Sequence, residues 1–209
     1  MGLFNKNTKT LDSFQNAVET RRTIYSLEKE ISISDKEVES IIEHAIKHVP
    51  SSFNSQSTRI VLLLNDKHDA FWDITKNELK KVMGDDRDFQ PTSDKIDNFK
   101  HAYGTILYFE DTEVVEGLQQ QMPSYAENFA IWSNQTNAMH QFAVWTALST
   151  EGIGASLQHY NPLVDEATQE AFDIPKTWKL IAQMPFGNIR EAAGEKEFQD
   201  VNARLLVRK

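Results

Sequence analysis

Cysteine is absent from all 209 residues, which removes disulfides, thiolate nucleophiles and sulfur ligands from the devices this chain could use. A chain without disulfides suits a reducing compartment, and the cytoplasm is the location expected. Positive charge is scarce: 22 Lys and Arg stand against 31 Asp and Glu, a formal net charge of −9. Nucleic acid and anionic membrane would both be repelled, so neither is expected as a partner. No apolar run approaches the ~20 residues that span a bilayer. The segment Met1-Gly2-Leu3-Phe4-Asn5-Lys6 lacks the apolar core of a secretory signal, and Lys6 stands where a myristoylation site needs Ser or Thr. Without secretion, the sequon at Asn134-Gln135-Thr136 has no function. Catalytic signatures are missing too: there is no Gly-x-Ser-x-Gly elbow and no carboxylate pair at a motif spacing.

What is present is a hydrophobic content of 40%, enough for one core and one domain over 1–209. Leu11, Phe14 and Val18 recur at helical spacing and place a first helix ahead of Arg21 and Arg22. Ser34-Asp35-Lys36-Glu37 reads as a capping box, followed by the apolar stripe Val38, Ile41, Ile42, Ala45 and Val49. Strands are predicted over 59–64, 105–109, 155–160 and 178–184, with 105–109 central because it is apolar throughout. Further helices are predicted over 69–82, 94–101, 112–120 and 165–172, with a polar break at 84–88. The helix predicted over 124–150, about 40 Å long, should be the spine. Its second half carries Met139, Phe142, Ala143, Val144, Trp145, Ala147 and Leu148, apolar almost all round. This indicates burial on several sides, either in the core or in a subunit interface, and surplus apolar surface favours a dimer.

The polar stretch between the second helix and the first strand is a candidate binding loop. Pro50 stops the helix, and every residue from Ser51 to Ser57 except Phe53 carries a hydroxyl or an amide. Such a loop can contact a heteroaromatic ring or a phosphate, although a solvated connection has the same composition. Arg21 and Arg22 precede Thr23, and two guanidinium forks with a hydroxyl suit a phosphate. His44 and His48 lie four apart on a helix, but no third ligand accompanies them, so no metal is expected. Gly152-Ile153-Gly154 follows a helix and precedes a strand, the reverse of a dinucleotide fingerprint. Phe53, Phe129 and Trp132 would line either an aromatic pocket or the core.

The order Arg21-Arg22-Thr23, a helix, then Pro50-Ser51-Ser52-Phe53-Asn54-Ser55-Gln56 before a strand resembles the FMN-dependent nitroreductase family. Gly104-Thr105-Ile106-Leu107-Tyr108-Phe109-Glu110-Asp111, the run from Gly152 to Pro162, and Ala182-Gln183-Met184-Pro185-Phe186-Gly187 are similar to the branch related to fatty-acid-repression-mutant proteins. The resemblance covers about 13–207. It implies an α+β fold, an α/β/α sandwich with a mixed central sheet flanked by helices and a long central helix, assembled as a homodimer around FMN. Arg21, Arg22 and Thr23 match the family's phosphate and ribityl contacts. Ser51, Ser52 and Asn54, with Gln56 beside them, match the loop that reaches the flavin of the other subunit. Leu157, Gln158 and His159 match the strand end that passes the isoalloxazine ring. The C-terminal basic residue of the phosphate grip is Lys196 or Arg204; spacing does not decide, and Lys196 is the first choice. FMN would carry the chemistry, so no catalytic side chain is assigned. The implied activity is ping-pong reduction of nitroaromatics or quinones by NADH or NADPH. The alternatives are a flavin-binding regulatory or stress-response protein, for example in lipid signalling, and a flavin-free structural dimer.

Overall fold

Every position of the strand Gly104–Asp111 is buried, and the remaining elements are layered on its two faces. In a computed structural model, which describes residues 8–84 and 86–209, the elements in chain order are α1 (Thr8–Thr20), α2 (Asp35–His48), β1 (Thr58–Leu64), α3 (Asn65–Met83), α4 (Gln90–Lys100), β2 (Gly104–Asp111), α5 (Thr112–Gln121), α6 (Ala126–Thr150), β3 (Ile153–Ala155), α7 (Asp165–Ala171) and β4 (Trp178–Asn188). The N-terminal hexapeptide discussed above lies outside the described residues, as does Asp85 of the polar break.

The strands form one sheet in the order β1-β2-β4-β3, every neighbour antiparallel. Among the described residues the strands are thus antiparallel throughout where a mixed sheet is expected, and the parallel bridge from Thr23 to Ala155 lies outside the named strands. Because successive residues of a strand point to opposite faces, β2 feeds two cores. Ile106 and Tyr108 join Val38, Ile42 and Ala45 of α2 and Val144 and Leu148 of α6. Leu107 and Phe109 join Phe71 and Trp72 of α3 and Ile96 and Phe99 of α4. This is the α/β/α sandwich, and each large apolar side chain buried in it contributes about 1.5–3 kcal/mol. On the second face, His68 is fully buried. Its Nε2 donates to the Lys100 carbonyl at 3.1 Å, which leaves Nδ1 to accept from the Thr105 hydroxyl at 2.8 Å. That hydroxyl accepts in turn from Trp72 Nε1 at 2.9 Å.

Two strands differ from expectation. The one predicted over 155–160 pairs only through Ile153–Ala155. Ser156 would come next and does donate to the Pro185 carbonyl at 3.2 Å, but proline has no N–H to return. The ladder therefore stops, and the chain touches the sheet again only where Gln158 bridges Gln183. Conversely β4 runs on past Met184 to Asn188. Gly187 permits this, since a side chain there would run into the Glu28 carbonyl.

The capping box of α2 is formed: Glu37 accepts from the Ser34 amide at 2.8 Å, and Ser34 Oγ accepts from the Glu37 amide at 3.3 Å. α6 is patterned inside out. Its buried face carries Ser133, Thr136, Asn137, His140 and Gln141 between Phe129 and Val144, whereas Ile131, Met139 and Phe142 are exposed. The apolar face expected of α1 is likewise uncovered, with Leu11 59% and Phe14 62% exposed.

Candidate functional site

Arg21 and Arg22 follow the last turn of α1, and the backbone just beyond them is stitched to the sheet. Thr23 forms the parallel bridge to Ala155, and the Ile24 amide donates to the Ala155 carbonyl at 2.9 Å. The approach is close enough that a side chain at Gly154 would meet Ile189 and Leu27 at 2.9 Å. Thr23 is thereby fixed beside Ala155, where the chain leaves β3, with Arg21 and Arg22 immediately ahead of it.

The Arg21 guanidinium lies over the Trp145 ring, 4.4 Å from its centroid. Its Nε is buried and has no hydrogen-bond partner among the described residues. Burial, and then the neighbouring charge of Arg22, pull its pKa below the ordinary guanidinium value, yet an arginine remains charged. Arg22 Nη2 donates to the Gly194 carbonyl at 2.7 Å. Neither arginine forms an ion pair among the described residues. Two adjacent positive charges, one half-buried with an orphaned donor, fit a group that brings negative charge. Arg22 also lines a cavity of about 650 Å³ with Val18, Glu19, Glu195, Lys196 and Phe198. The ammonium of Lys196 sits 5.3 Å from the Phe198 ring centroid. Arg204, by contrast, is exposed just beyond the turn Val201–Ala203 and does not line that cavity.

Of the residues leaving β3, Gln158 commits its backbone to Gln183: its amide donates at 2.7 Å and its carbonyl accepts at 2.9 Å. The amides on either side, of Leu157 and His159, donate to nothing among the described residues. Leu157 packs on the α2/α6 core while the His159 side chain is exposed.

The Ser51 to Ser57 loop stores strain. Phe53, Asn54 and Gln56 have φ of 56°, 53° and 49°, the left-handed region that costs a non-glycine residue about 1 kcal/mol or more. Such a conformation persists where surrounding structure dictates it. Here Ser51 Oγ accepts from the Gln56 amide at 3.0 Å. Arg59 Nη1 donates to the Gln56 carbonyl at 2.7 Å and its Nη2 to Asp111 at 3.0 Å. Immediately below, the buried Glu110 carboxylate accepts from Ser57 Oγ at 2.5 Å, Thr58 Oγ1 at 2.6 Å and Asn137 Nδ2 at 2.9 Å. Gln141 Nε2 donates to Asn137 Oδ1 at 2.6 Å, closing the network on α6.

The strained backbone turns the Phe53 side chain outward, 57% exposed. Its ring lies 5.4 Å from Phe129, 6.0 Å from Trp132 and 6.2 Å from Tyr125. Only Phe129 of this group is buried, so the cluster is a surface feature and not core. Glu110, Asn137 and Arg59 were not anticipated as supports of the loop. The signal was a carboxylate pair, Glu110 and Asp111, ending an otherwise apolar strand.

One chain does not gather the whole candidate set. The loop packs on α6 at Trp132 and Arg21 packs on it at Trp145, thirteen residues and so about 20 Å along the helix. Thr23 bridges Ala155, two residues ahead of Leu157, Gln158 and His159, and Arg22 lines one cavity with Lys196, while Ser51, Ser52, Asn54 and Gln56 belong to the loop that packs at Trp132. Elsewhere, the His44 and His48 rings lie 4.5 Å apart. Among the described residues no group of three His, Cys, Asp or Glu could hold a metal, and no helix is long and apolar enough to cross a membrane.

Comparison with known proteins agrees with this architecture. A model of the nitroreductase family matches residues 18–188. The nitroreductase FRM2 of Saccharomyces cerevisiae is 32% identical over 188 residues, 89% of this chain and 93% of its own, in keeping with the branch expected above. HBN1 of the same yeast matches to the same extent. The nitroreductase CinD of Lactococcus lactis superposes with a TM-score of 0.87 and 44% identity over 94% of this chain and 100% of its own. CinD has been solved in complex with nicotinic acid, chloramphenicol and 4-nitrophenol.

Proposed function

This chain belongs to the nitroreductase family, and from that premise we propose that it is an FMN-dependent oxidoreductase, a cytoplasmic homodimer that uses NADH or NADPH to reduce nitroaromatics or quinones. The observation that carries the reading is the Arg21 and Arg22 pair, which forms no ion pair among the described residues and holds the Arg21 Nε buried and unpartnered; the amides of Leu157 and His159, just beyond the Ala155 that Thr23 bridges, likewise lack an acceptor among the described residues. A phosphate-bearing flavin meets both needs at once, with its anionic end on the guanidiniums, Thr23 and Lys196 and its ring edge on the amides. Bound FMN would supply the hydride chemistry, accepting from the nicotinamide and passing two electrons to the acceptor in a ping-pong cycle. The protein's own work is then to bind, to orient and to choose.

Choice of acceptor falls to the exposed rings of Phe53 and Tyr125 and the half-buried ring of Trp132, which offer a surface to a flat, electron-poor molecule. The ligands solved in CinD are aromatic, and the same class suits this surface. A dimer supplies what one chain leaves undone. It covers Leu11, Phe14, Met139 and Phe142, and it brings the Ser51, Ser52, Asn54 and Gln56 loop of one subunit to the arginine pair of the other.

The test is the visible spectrum of protein purified without added cofactor, followed by anaerobic NADH or NADPH and then a quinone or nitroaromatic. A flavin spectrum that bleaches and returns is the expected result. Flavin that no nicotinamide reduces would favour the regulatory or stress-response alternative, and a colourless protein that takes up no FMN would overturn both.

A further inference from the structure

We propose that Trp145 is a positioning residue for the anion grip: its indole face holds the Arg21 guanidinium in place while leaving that group's in-plane N–H donors free for a phosphate. This rests on the flavin reading above and adds a residue to it.

A half-buried arginine needs something to order it, and the ordinary choice is a carboxylate. A carboxylate would neutralise the charge and occupy the donors that a phosphate requires. Among the described residues Arg21 has no such partner. Its guanidinium carbon instead lies 4.4 Å from the Trp145 ring centroid, within the range of a cation over an aromatic face. A cation held over a ring face is ordered by the ring's charge distribution without an acceptor atom taking up its N–H donors. The orphaned, buried Nε is the visible consequence.

The platform is itself rigid. Trp145 follows Val144 on α6 and packs against the α2/α6 core, and Leu148 anchors the next turn. Arg22 opposes this arrangement, because its adjacent charge favours swinging Arg21 into solvent. The negative ring face offsets that repulsion. Preorganisation of this kind raises affinity by lowering the entropy lost on binding.

The experiment compares FMN with riboflavin, which has the same ring and no phosphate, by fluorescence titration of the apoprotein. Trp145→Leu should weaken FMN about tenfold and leave riboflavin within about twofold. Trp145→Phe keeps a ring face and should stay close to wild type. In an Arg21→Ala background Trp145→Leu should cost nothing further, because the two act through one contact. Equal loss of FMN and riboflavin in Trp145→Leu would show a merely structural role and overturn the proposal. So would an unchanged FMN affinity, or a Trp145→Phe variant as weak as the leucine. If Trp145→Leu does not fold, Trp145→Met takes its place in the cycle. Wild-type protein that binds riboflavin as tightly as FMN would sink the phosphate assignment of Arg21 itself. Wild type that prefers FMN, with Trp145→Leu keeping that preference, would sink only the role of Trp145.

Discussion

Asn137 donates to the buried carboxylate of Glu110 at 2.9 Å, tying the middle of α6 to the end of β2 where Ser57 and Thr58 enter the sheet. Glu110→Ala would leave the Ser57 and Thr58 hydroxyls without their acceptor and Asn137 Nδ2 with only the Phe109 carbonyl, to which it also donates at 3.0 Å. We expect a loss of about 3 kcal/mol, read as a lower urea midpoint. Glu110→Gln keeps the shape, and the Ser57 and Thr58 hydroxyls can rotate to accept, so it should cost about 1 kcal/mol. Equal stability of Glu110→Ala and wild type would remove the network from the account of the fold.

The separation of Trp132 from Trp145 along α6 makes a prediction about subunits. Arg21→Ala homodimers and Ser52→Ala/Asn54→Ala homodimers should each retain less than about a tenth of the wild-type flavin. Mixed dimers of the two should regain one site of the two, because the intact arginine of one chain meets the intact loop of the other. Flavin per dimer in a tagged, co-expressed hybrid is the measurement, and a hybrid as empty as its parents contradicts a shared site.

Phe53 should govern aromatic acceptors specifically. Ring pairs contribute about 0.5–1.5 kcal/mol beyond area, so Phe53→Ala is expected to lower kcat/KM for a nitroaromatic about fivefold. Reduction of ferricyanide, which has no ring to stack, should be unaffected. Equal loss with both acceptors would assign Phe53 to the loop's conformation and not to the substrate.

His68 makes stability depend on pH. Burial depresses its pKa from 6.5 to about 4, so the unfolded chain binds a proton that the folded chain refuses. The stabilisation is complete above pH 6.5 and is lost as pH falls toward 4, a total of about 3 kcal/mol. His140, also depressed by burial, adds in the same direction. Denaturation at pH 7 and pH 4.5 should show the drop, and His68→Gln should flatten it; an unchanged slope would place the acid sensitivity elsewhere.

Local signals carried the fold well. The capping box at Ser34 and Glu37, the apolar run of β2 and the length of α6 depend on neighbours in sequence, and each element formed near its expected bounds. The strand beyond Ala155 failed because its partner, Pro185, lies thirty residues away and cannot return a hydrogen bond. Arg21, Arg22 and the Ser51 to Ser57 loop stood out by composition. Glu110, Asn137 and Trp145 did not, because each acts through a residue distant in sequence and looks unremarkable beside its own neighbours.

The inverted patterning of α6 bears on how the chain finds its native packing. Rotated by half a turn about its axis, the helix would bury Ile131, Met139 and Phe142, the arrangement that oil-and-water sorting alone prefers. That alternative takes Asn137 away from the buried Glu110 carboxylate and the Phe109 carbonyl, a cost that grows in a dry interior. The carboxylate thus serves as a key that only one setting of the helix can turn, and the apolar stripe it forces outward remains available to a second subunit.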